Sequence, residues 1–393
     1  MPLILFFHKS RSFYSFSLEI SIFLYATLLY FVIGQEDVKM FVVSNMVFII
    51  CCLYFRFFIG NSLLRFRFSV AVFYALLAVS TVVMYLNHLY PDQIDTLRAK
   101  LIGDPVNQSP SGITSAIFSF GYQLAALTVF IFLYTFMKKG AVPIFIVFAL
   151  SLAAIYYGMQ RSVLVDFFAC LGIFLFIYFG FRKFMLVAAI AAVLIFGLMP
   201  LVINNNSQRD NIFSKNKQNL EEGEQRTDLV TENLKIYANY PLGLIFYNKK
   251  WSDVIRGNPA YPEGITSHNA YLMFFTYLGP VLGIVFLIGL YYRVGSIFKY
   301  ALTLIKGLKD PLLIAMCFSL LAACINSLFH NAWLLETANG VIVFIYVGVI
   351  HYYKVFTPSL NPIPNKPEQI KSTDQHVHHE NSVLAPVYRP ERH

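Results

Sequence analysis

Three polar residues that flank apolar stretches have side chains suited to chemistry: Arg161, Arg226 and His268. A guanidinium is a planar fork that binds phosphate through two parallel hydrogen bonds, and an imidazole titrates near neutral pH and can accept a proton from a hydroxyl. Each residue also has a structural interpretation. Arg161 can contact lipid headgroups, Arg226 can be a solvated surface residue, and His268 can be a structural hydrogen-bonding group.

A second set of polar residues is a candidate lining for a cavity. Asp166 follows Ser162 by one helical turn inside an apolar stretch, where carboxylates usually mark a polar interior or an ion path. Asn269 follows His268 at the start of another apolar stretch. Four more polar residues flank the last two stretches: Asn326, His330, Asn331 and Glu336. These side chains either line one cavity or form hydrogen bonds with one another.

Two patterns have some likeness to metal sites. The sequence "DQHVHHE" contains His376, His378 and His379, but it lacks a second set of ligands. Glu36 and Asp37 form an acidic pair, but the matching sequence is too short to define a metal site. The sequence therefore predicts no metal centre.

The composition is that of a membrane protein. The 393 residues are 57% hydrophobic and only 13% charged, whereas soluble domains are about 25% charged. The net charge of +9 comes from short basic clusters between apolar runs, which argues for membrane topology and against a nucleic-acid partner. No phosphate-binding glycine loop is present. The five cysteines all lie in apolar stretches, which predicts core packing: Cys51, Cys52, Cys170, Cys317 and Cys324.

The pattern of apolar runs predicts an all-α polytopic protein with about ten transmembrane helices, because each span needs about 20 apolar residues. The predicted spans are 14–34, 40–58, 68–88, 113–137, 141–158, 163–181, 184–203, 270–292, 311–329 and 332–353. Basic residues mark one set of span ends: Lys9, Arg11, Arg56, Arg65, Arg67, Lys138, Lys139, Arg182, Lys183, Arg293, Lys299, Lys306, Lys309 and Lys354. The positive-inside rule then predicts that both termini are cytoplasmic.

This topology puts the long polar segment 204–269 outside the membrane. Leu229, Val230, Leu234 and Tyr237 have near-helical spacing, which predicts an amphipathic helix on the outer membrane surface that begins near Arg226. The transmembrane domain is predicted to cover 1–356. The Pro-rich segment 357–393 is predicted to be a disordered cytoplasmic tail.

The order of these motifs resembles the bacterial O-antigen polymerase and O-antigen ligase superfamily. An arginine in the hairpin "QRSVLVDFF" is followed by two spans, a large outer loop with "TENLKIYANYPLG", and then "HNAYLMFFTYLG" at the next span. His268 and Asn269 are followed by nine residues and Gly279, as in members of that superfamily. The resemblance covers roughly residues 150–290.

The resemblance implies a membrane glycosyltransferase of the bacterial inner membrane with its active site facing the periplasm. Such an enzyme transfers a glycan from undecaprenyl pyrophosphate to a sugar hydroxyl, by inversion and without a metal or other cofactor. Arg161 and Arg226 would then bind the pyrophosphate, and His268 would be the catalytic base. A chain-length regulator protein is a further implied partner.

Three alternatives for the activity stay open. A polymerase adds the glycan to a lipid-linked repeat unit and is favoured here because polymerases are the more numerous and divergent class. A ligase instead adds it to lipid A-core. A lipid-linked oligosaccharide flippase is the non-enzymatic alternative, and it would show repeated halves, Gly/Pro-broken spans and charges at mid-membrane.

Overall fold

The computed structural model describes residues 12–103, 105, 111–114, 117–186, 226–255, 269–336 and 340–357. Within these ranges the regular structure is helical and contains no strand. The predicted all-α class is therefore confirmed for the described part of the chain.

Twelve α-helical elements are numbered here in chain order. They are α1 (Ser17–Gln35), α2 (Val38–Ile59), α3 (Leu63–Leu89), α4 (Pro91–Ile102), α5 (Ile117–Lys138), α6 (Ala141–Tyr157), α7 (Arg161–Phe179), α8 (Arg226–Asn239), α9 (Trp251–Ile255), α10 (Ala270–Leu304), α11 (Pro311–Asn326) and α12 (Val341–Val355). The last turns of α1 and α2 are π-helical, over Leu28–Gln35 and Tyr54–Ile59. Short 3₁₀ helices span Leu244–Tyr247 and Ile305–Gly307.

Nine of the ten predicted spans coincide with apolar helices. Six helices of the described ranges are long and apolar enough to cross a membrane: α1, α2, α3, α5, α7 and α10. Three others, α6, α11 and α12, are apolar but have only 15–17 residues. Most of the predicted span 184–203 lies outside the described residues. The structure thus supports a polytopic membrane protein, and the count of ten spans stays a prediction.

Two predicted span boundaries were wrong. The last span was predicted to begin at residue 332, but residues 332–336 are not helical and α12 begins at Val341, after a left-handed Gly340. The span predicted at 270–292 continues to Leu304 and is interrupted at Gly279, whose φ of 73° and ψ of 177° are not helical. Apolar composition alone records neither a loop packed into the protein nor a local change in backbone direction.

Side-chain caps define where several helices begin. Asp37 caps α2 by accepting a hydrogen bond from the Met40 backbone N–H at 2.8 Å, and Ser62 caps α3 in the same way. Asp310 caps α11, which has Pro311 as its first residue. These caps satisfy backbone donors that a helix leaves unpaired at its first turn.

The centre of the bundle is built around α11 and α12, whose residues are buried on nearly every side, as expected for helices that are apolar all round. One hydrogen-bond chain links three elements near the middle of the bundle. The Tyr74 hydroxyl of α3 donates to Ser319 of α11 at 2.8 Å, and Ser319 donates to the Ala126 carbonyl of α5 at 2.8 Å. The central helices are therefore held in a defined register.

α5 and α11 run in opposite directions, which defines two ends of the bundle. Gly121 of α5 lies against Asn326, the last residue of α11, and this end also contains Ser162 and Ala270. We call it the site end. Lys138, at the other end of α5, lies beside Pro311, the first residue of α11. We call that the far end.

Candidate functional site

The start of α10 is anchored to the turn that follows α11. The Ala270 backbone N–H donates to the carbonyls of Ser327 at 3.1 Å and His330 at 2.9 Å. The Asn269 side chain caps α10 by accepting from the Leu272 N–H at 3.0 Å. Asn269 therefore has a capping role. His268, the predicted base, lies outside the described residues.

The same turn contacts the start of α7. The His330 Nε2 and the Ser162 hydroxyl oxygen are 3.1 Å apart in a buried hydrogen bond. A tight hairpin precedes α7, in which Met159 has a left-handed φ of 52° and Gln160 is buried. Arg161 is the first residue of α7 and is half-buried. The predicted tight hairpin is confirmed, and its location outside the membrane stays a prediction. The hairpin places Arg161 next to Ser162, which contacts His330 of the turn that follows α11.

α8 packs against the first segment of α10 through a polar contact. Asn233 is fully buried, and its side-chain oxygen accepts a hydrogen bond from the Thr276 hydroxyl at 2.5 Å. The Asn233 amide nitrogen lies 3.7 Å from the Met273 sulfur. Leu229 and Ile236 are buried on the same face of α8. This helix is therefore docked onto the protein through that face.

A helix is confirmed in the predicted segment, since α8 covers Arg226–Asn239 and residue 226 is the first described residue after a gap in the described ranges. The predicted location of this helix on the outer membrane surface stays a prediction. Of the four residues assigned to its apolar face, Val230 is 37% exposed and Leu234 is 53% exposed, whereas Leu229 is buried in the protein. The face of α8 that is buried in the protein contains Leu229, Asn233 and Ile236, which have helical spacing. Because Asn233 is polar, a search for apolar residues alone does not find this face.

Two glycines make the closest backbone contact between the loop and α10. Gly243 and Gly279 both have positive φ values, 103° and 73°, a region that residues with a β-carbon rarely adopt. A β-carbon on Gly243 would lie 2.6 Å from the Leu278 carbonyl carbon, and one on Gly279 would overlap the Leu242 carbonyl. The backbones cross here because neither residue has a side chain.

These contacts show that α8 and the first segment of α10 run parallel. Asn233 pairs with Met273 and Thr276, and further along both chains Gly243 meets Gly279. Arg226 lies seven residues before Asn233, about 10 Å at 1.5 Å per residue, and Asn269 lies four residues before Met273. The starts of α7 and α10 and the backbone of Arg226 in α8 are consequently at the same end of the bundle.

A buried polar group lies directly inside this end. Asp166 is fully buried, and neither of its carboxylate oxygens has a hydrogen-bond partner. Tyr122 lies within electrostatic range of Asp166, donates a hydrogen bond to the Ala332 carbonyl, and has its ring 5.9 Å from that of His330. Both side-chain atoms of the buried Asn326 are also without a hydrogen-bond partner. Polar side chains from α5, α7 and α11 thus line the interior of the site end.

Residues 146–288 match the family model described as O-antigen ligase. This stretch, 143 of the 393 residues, is similar to the O-antigen ligase family. The general kind that this similarity suggests, a membrane glycosyltransferase, agrees with the apolar helices of the fold. Among curated proteins, no significant match to the chain was found.

The matched stretch spans α7, α8 and the first segment of α10, and it includes Arg161, Arg226 and His268 as well as both contacting glycines. Its limits agree closely with the stretch of roughly 150–290 that the motif order indicated. The residues that complete the site end from outside the matched stretch are Tyr122, Asn326 and His330. The matched stretch alone therefore does not form the whole interior of this end.

Glu336 lies between this polar group and the connection of α1 to α2. It is within electrostatic range of both Tyr122 and Asp37. Burial raises the pKa of the Glu336 carboxyl, and the nearby Asp37 carboxylate raises it further. Asp166, His330 and Glu336 therefore surround Tyr122, as expected if they line one interior, and Tyr122 is the member that the sequence pattern did not indicate.

The acidic pair Glu36 and Asp37, between α1 and α2, forms contacts within the protein. Glu36 forms a salt bridge with Lys250 of the long loop, and Asp37 caps α2. The described ranges contain no group of three or more His, Cys, Asp or Glu side chains that could hold a metal ion. The histidines of "DQHVHHE" lie outside these ranges.

The sequence analysis did not single out Tyr122 or Asn233, although both lie at or near the site end. Tyr122 is one of 25 tyrosines and becomes distinctive only through its contacts. Asn233 could have been found from the spacing of 229, 233 and 236 if polar residues had been allowed on the buried face. Both residues join elements that are distant in sequence.

Proposed function

We propose that this protein is a surface-polysaccharide polymerase that transfers a glycan from undecaprenyl pyrophosphate to a sugar hydroxyl of a lipid-linked repeat unit. The observation that carries the proposal is that the start of α7, Arg226 of α8 and the start of α10 lie at the same end of the bundle, within the stretch that matches the O-antigen ligase family model. Arg161 is the first residue of α7, and His268 directly precedes Asn269, which caps α10.

In the proposed reaction the acceptor hydroxyl oxygen attacks the anomeric carbon of the donor as the bond from that carbon to the pyrophosphate oxygen breaks. His268 accepts the hydroxyl proton, and Arg161 and Arg226 stabilise the negative charge that develops on the pyrophosphate as it leaves with the lipid. A single displacement inverts the anomeric configuration. Because ATP is absent on the outer side of the membrane, the donor bond itself supplies the energy.

The start of α7 supports anion binding for a general reason. The first turn of a helix presents unpaired N–H groups and the positive end of the helix dipole. This helix end, with Arg161 as its first residue and Arg226 on the neighbouring α8, suits a pyrophosphate with several negative charges. The polar interior around Tyr122 and Asp166 would lie next to the reacting sugars in this arrangement.

Two other functions are distinguished by specific features. The matched family model is described as O-antigen ligase, which favours lipid A-core as an alternative acceptor. A flippase would use broken helices, and the described residues contain one such break, at Gly279. That break accommodates the Leu242–Gly243 crossing near the site end, which argues for a positioning role.

The acceptor is tested with purified protein in liposomes that contain undecaprenyl-pyrophosphate-linked repeat units, either alone or with lipid A-core. A polymerase makes a ladder of products without lipid A-core, and product analysis shows an inverted linkage. Transfer only to lipid A-core would identify a ligase. Movement of the donor across the bilayer without any new glycosidic bond would identify a flippase.

The arginines are tested by Arg161→Lys and Arg226→Lys, which keep the charge and remove the bidentate fork. We expect each variant to lose activity on the order of 100-fold, as for loss of a charge-stabilising donor. Lys235→Arg is the matched control, since Lys235 is an exposed residue of α8 that pairs only peripherally with Glu232 at 3.3 Å. Near wild-type polymer from both arginine variants would remove the pyrophosphate-binding role.

The base is tested by His268→Gln, which keeps hydrogen bonding but cannot remove a proton. We expect a rate loss of about 10²–10⁴-fold with donor binding retained. His88→Gln is the control, because His88 contacts the Tyr157 carbonyl at 2.8 Å near the same hairpin and should have only a structural effect. A His268→Gln enzyme at near wild-type rate would refute the assignment. Loss of wild-type activity in the presence of a chelator would instead indicate that Glu36 and Asp37 bind a metal ion.

A further inference from the structure

A second cavity lies at the far end of the bundle. Its volume is about 860 Å³, and its walls come from α3, α5, α10, α12 and the start of α11. α11 separates it from the site end: Pro311 lines the cavity, and Asn326 lies at the site end, 15 residues further along the helix or about 22 Å away. The cavity is therefore a distinct feature from the proposed glycosyl-transfer site.

Three cationic side chains from separate elements border the cavity. Arg67 belongs to α3, Lys138 ends α5, and Lys309 lies in the turn before α11. The cavity lining includes one carboxylate, Asp310. Its oxygen is used within the protein, where it accepts from the Tyr352 hydroxyl at 2.9 Å and from the Leu313 N–H at 3.3 Å. The cavity is thus bordered by three cationic side chains and one carboxylate, so its border has a net positive charge.

The inner wall of the cavity is apolar. Val70, Phe130 and Leu304 contribute to it. On α3, Arg67 lies beside an apolar stripe that includes Leu64 (79% exposed) and Phe68 (67% exposed), a surface suited to lipid. A cationic border, an apolar wall and a neighbouring lipid-facing stripe together fit an amphiphile better than a free inorganic anion.

We propose that this cavity binds one anionic phospholipid from the adjacent leaflet. Its phosphate is held by Arg67, Lys138 and Lys309, and the first part of one acyl chain lies against Phe130 and Val70. Basic pockets between transmembrane helices are common sites for acidic lipid headgroups, and the volume is within the range of small-molecule sites. The basic connectors predict that this end is cytoplasmic, so the lipid would come from the cytoplasmic leaflet.

The experiment measures phosphatidylglycerol retained by the full-length protein in detergent, by native mass spectrometry. The wild type should retain one phosphatidylglycerol through delipidation and should not retain phosphatidylcholine. Each cation near an anionic headgroup changes affinity by about five-fold, so Arg67→Gln, Lys138→Gln and Lys309→Gln together should weaken retention on the order of 100-fold. The matched control neutralises three exposed cations that do not line the cavity: Lys139, Lys183 and Lys306.

Two results would overturn the proposal. One is equal retention of phosphatidylglycerol by the wild type and the cavity variant. The other is displacement of the lipid by inorganic phosphate as readily as by phosphatidylglycerol, which would show a free-anion site. If the triple variant does not fold, the single variant Lys309→Gln serves instead, with an expected loss of about five-fold. The thermal unfolding midpoint without added lipid checks that each variant is folded.

Discussion

The crossing of Gly243 and Gly279 makes a specific prediction for Gly279→Ala. At φ 73° and ψ 177° the backbone of residue 279 is in a region used almost only by glycine, and placing another residue there costs about 1–3 kcal/mol. The new β-carbon would also overlap the Leu242 carbonyl, and overpacking of this kind costs about 1–3 kcal/mol more. The local cost is therefore about 2–6 kcal/mol.

The chain can relieve this overlap only by separating α10 from the Leu242–Gly243 turn. That turn directly follows α8, so a shift of about 1 Å would displace the helix that begins at Arg226. Misplacement of a positioning group by about 1 Å typically costs on the order of 100-fold in rate. We therefore expect Gly279→Ala to insert in the membrane, to unfold at a lower temperature, and to make polymer on the order of 100-fold more slowly.

The assay combines thermal unfolding in detergent with polymer formation per amount of folded protein. Gly295→Ala is the matched control, because Gly295 lies in the same helix and a β-carbon there would meet nothing within 4 Å. It should leave both quantities nearly unchanged. If Gly279→Ala equals Gly295→Ala in midpoint and in rate, the close crossing does not position α8 and the reasoning is wrong.

Three further predictions concern topology, the α8 contact and pH. A reporter at Asn216 should read exterior and one after Lys139 cytoplasmic, and an interior Asn216 would overturn the location proposed for the site. Asn233→Leu should lower stability by about 1–3 kcal/mol and reduce activity, because the Asn233–Thr276 hydrogen bond joins α8 to α10; an unchanged unfolding midpoint would show that apolar packing alone holds α8. Burial and Asp37 raise the pKa of Glu336 above its ordinary value of 4.5, so the folded chain holds this proton more tightly than the unfolded chain does. That stabilisation is complete below pH 4.5 and is lost as the pH rises through the pKa of the folded state. The variant Glu336→Gln should therefore raise the unfolding midpoint more at about pH 8 than at about pH 4. An equal effect at both pH values would contradict this linkage.

Much of the local structure was predictable because it depends on neighbours in sequence. The presence of α8, the hairpin before Arg161 and most span limits follow from apolar runs, caps and helix-stopping residues. The motif order likewise indicated the stretch that matches the O-antigen ligase family model. Prediction failed at residues 332–336, and it did not indicate that Asn233 is buried, because both features depend on contacts with distant segments.

Composition and local pattern were enough to predict an apolar, helical chain, the positions of most helices, and three charged or titratable residues as candidates for phosphate binding and proton transfer. The parallel course of α8 and α10, the two glycines that cross between them, and the place of Tyr122 in the polar interior of the site end emerge only from the folded structure. The folded structure also brought Arg67, Lys138 and Lys309 together around one cavity. The physical reason is that hydropathy and helix caps act over a few residues, whereas each of these features is a contact between side chains or backbones that are far apart along the chain.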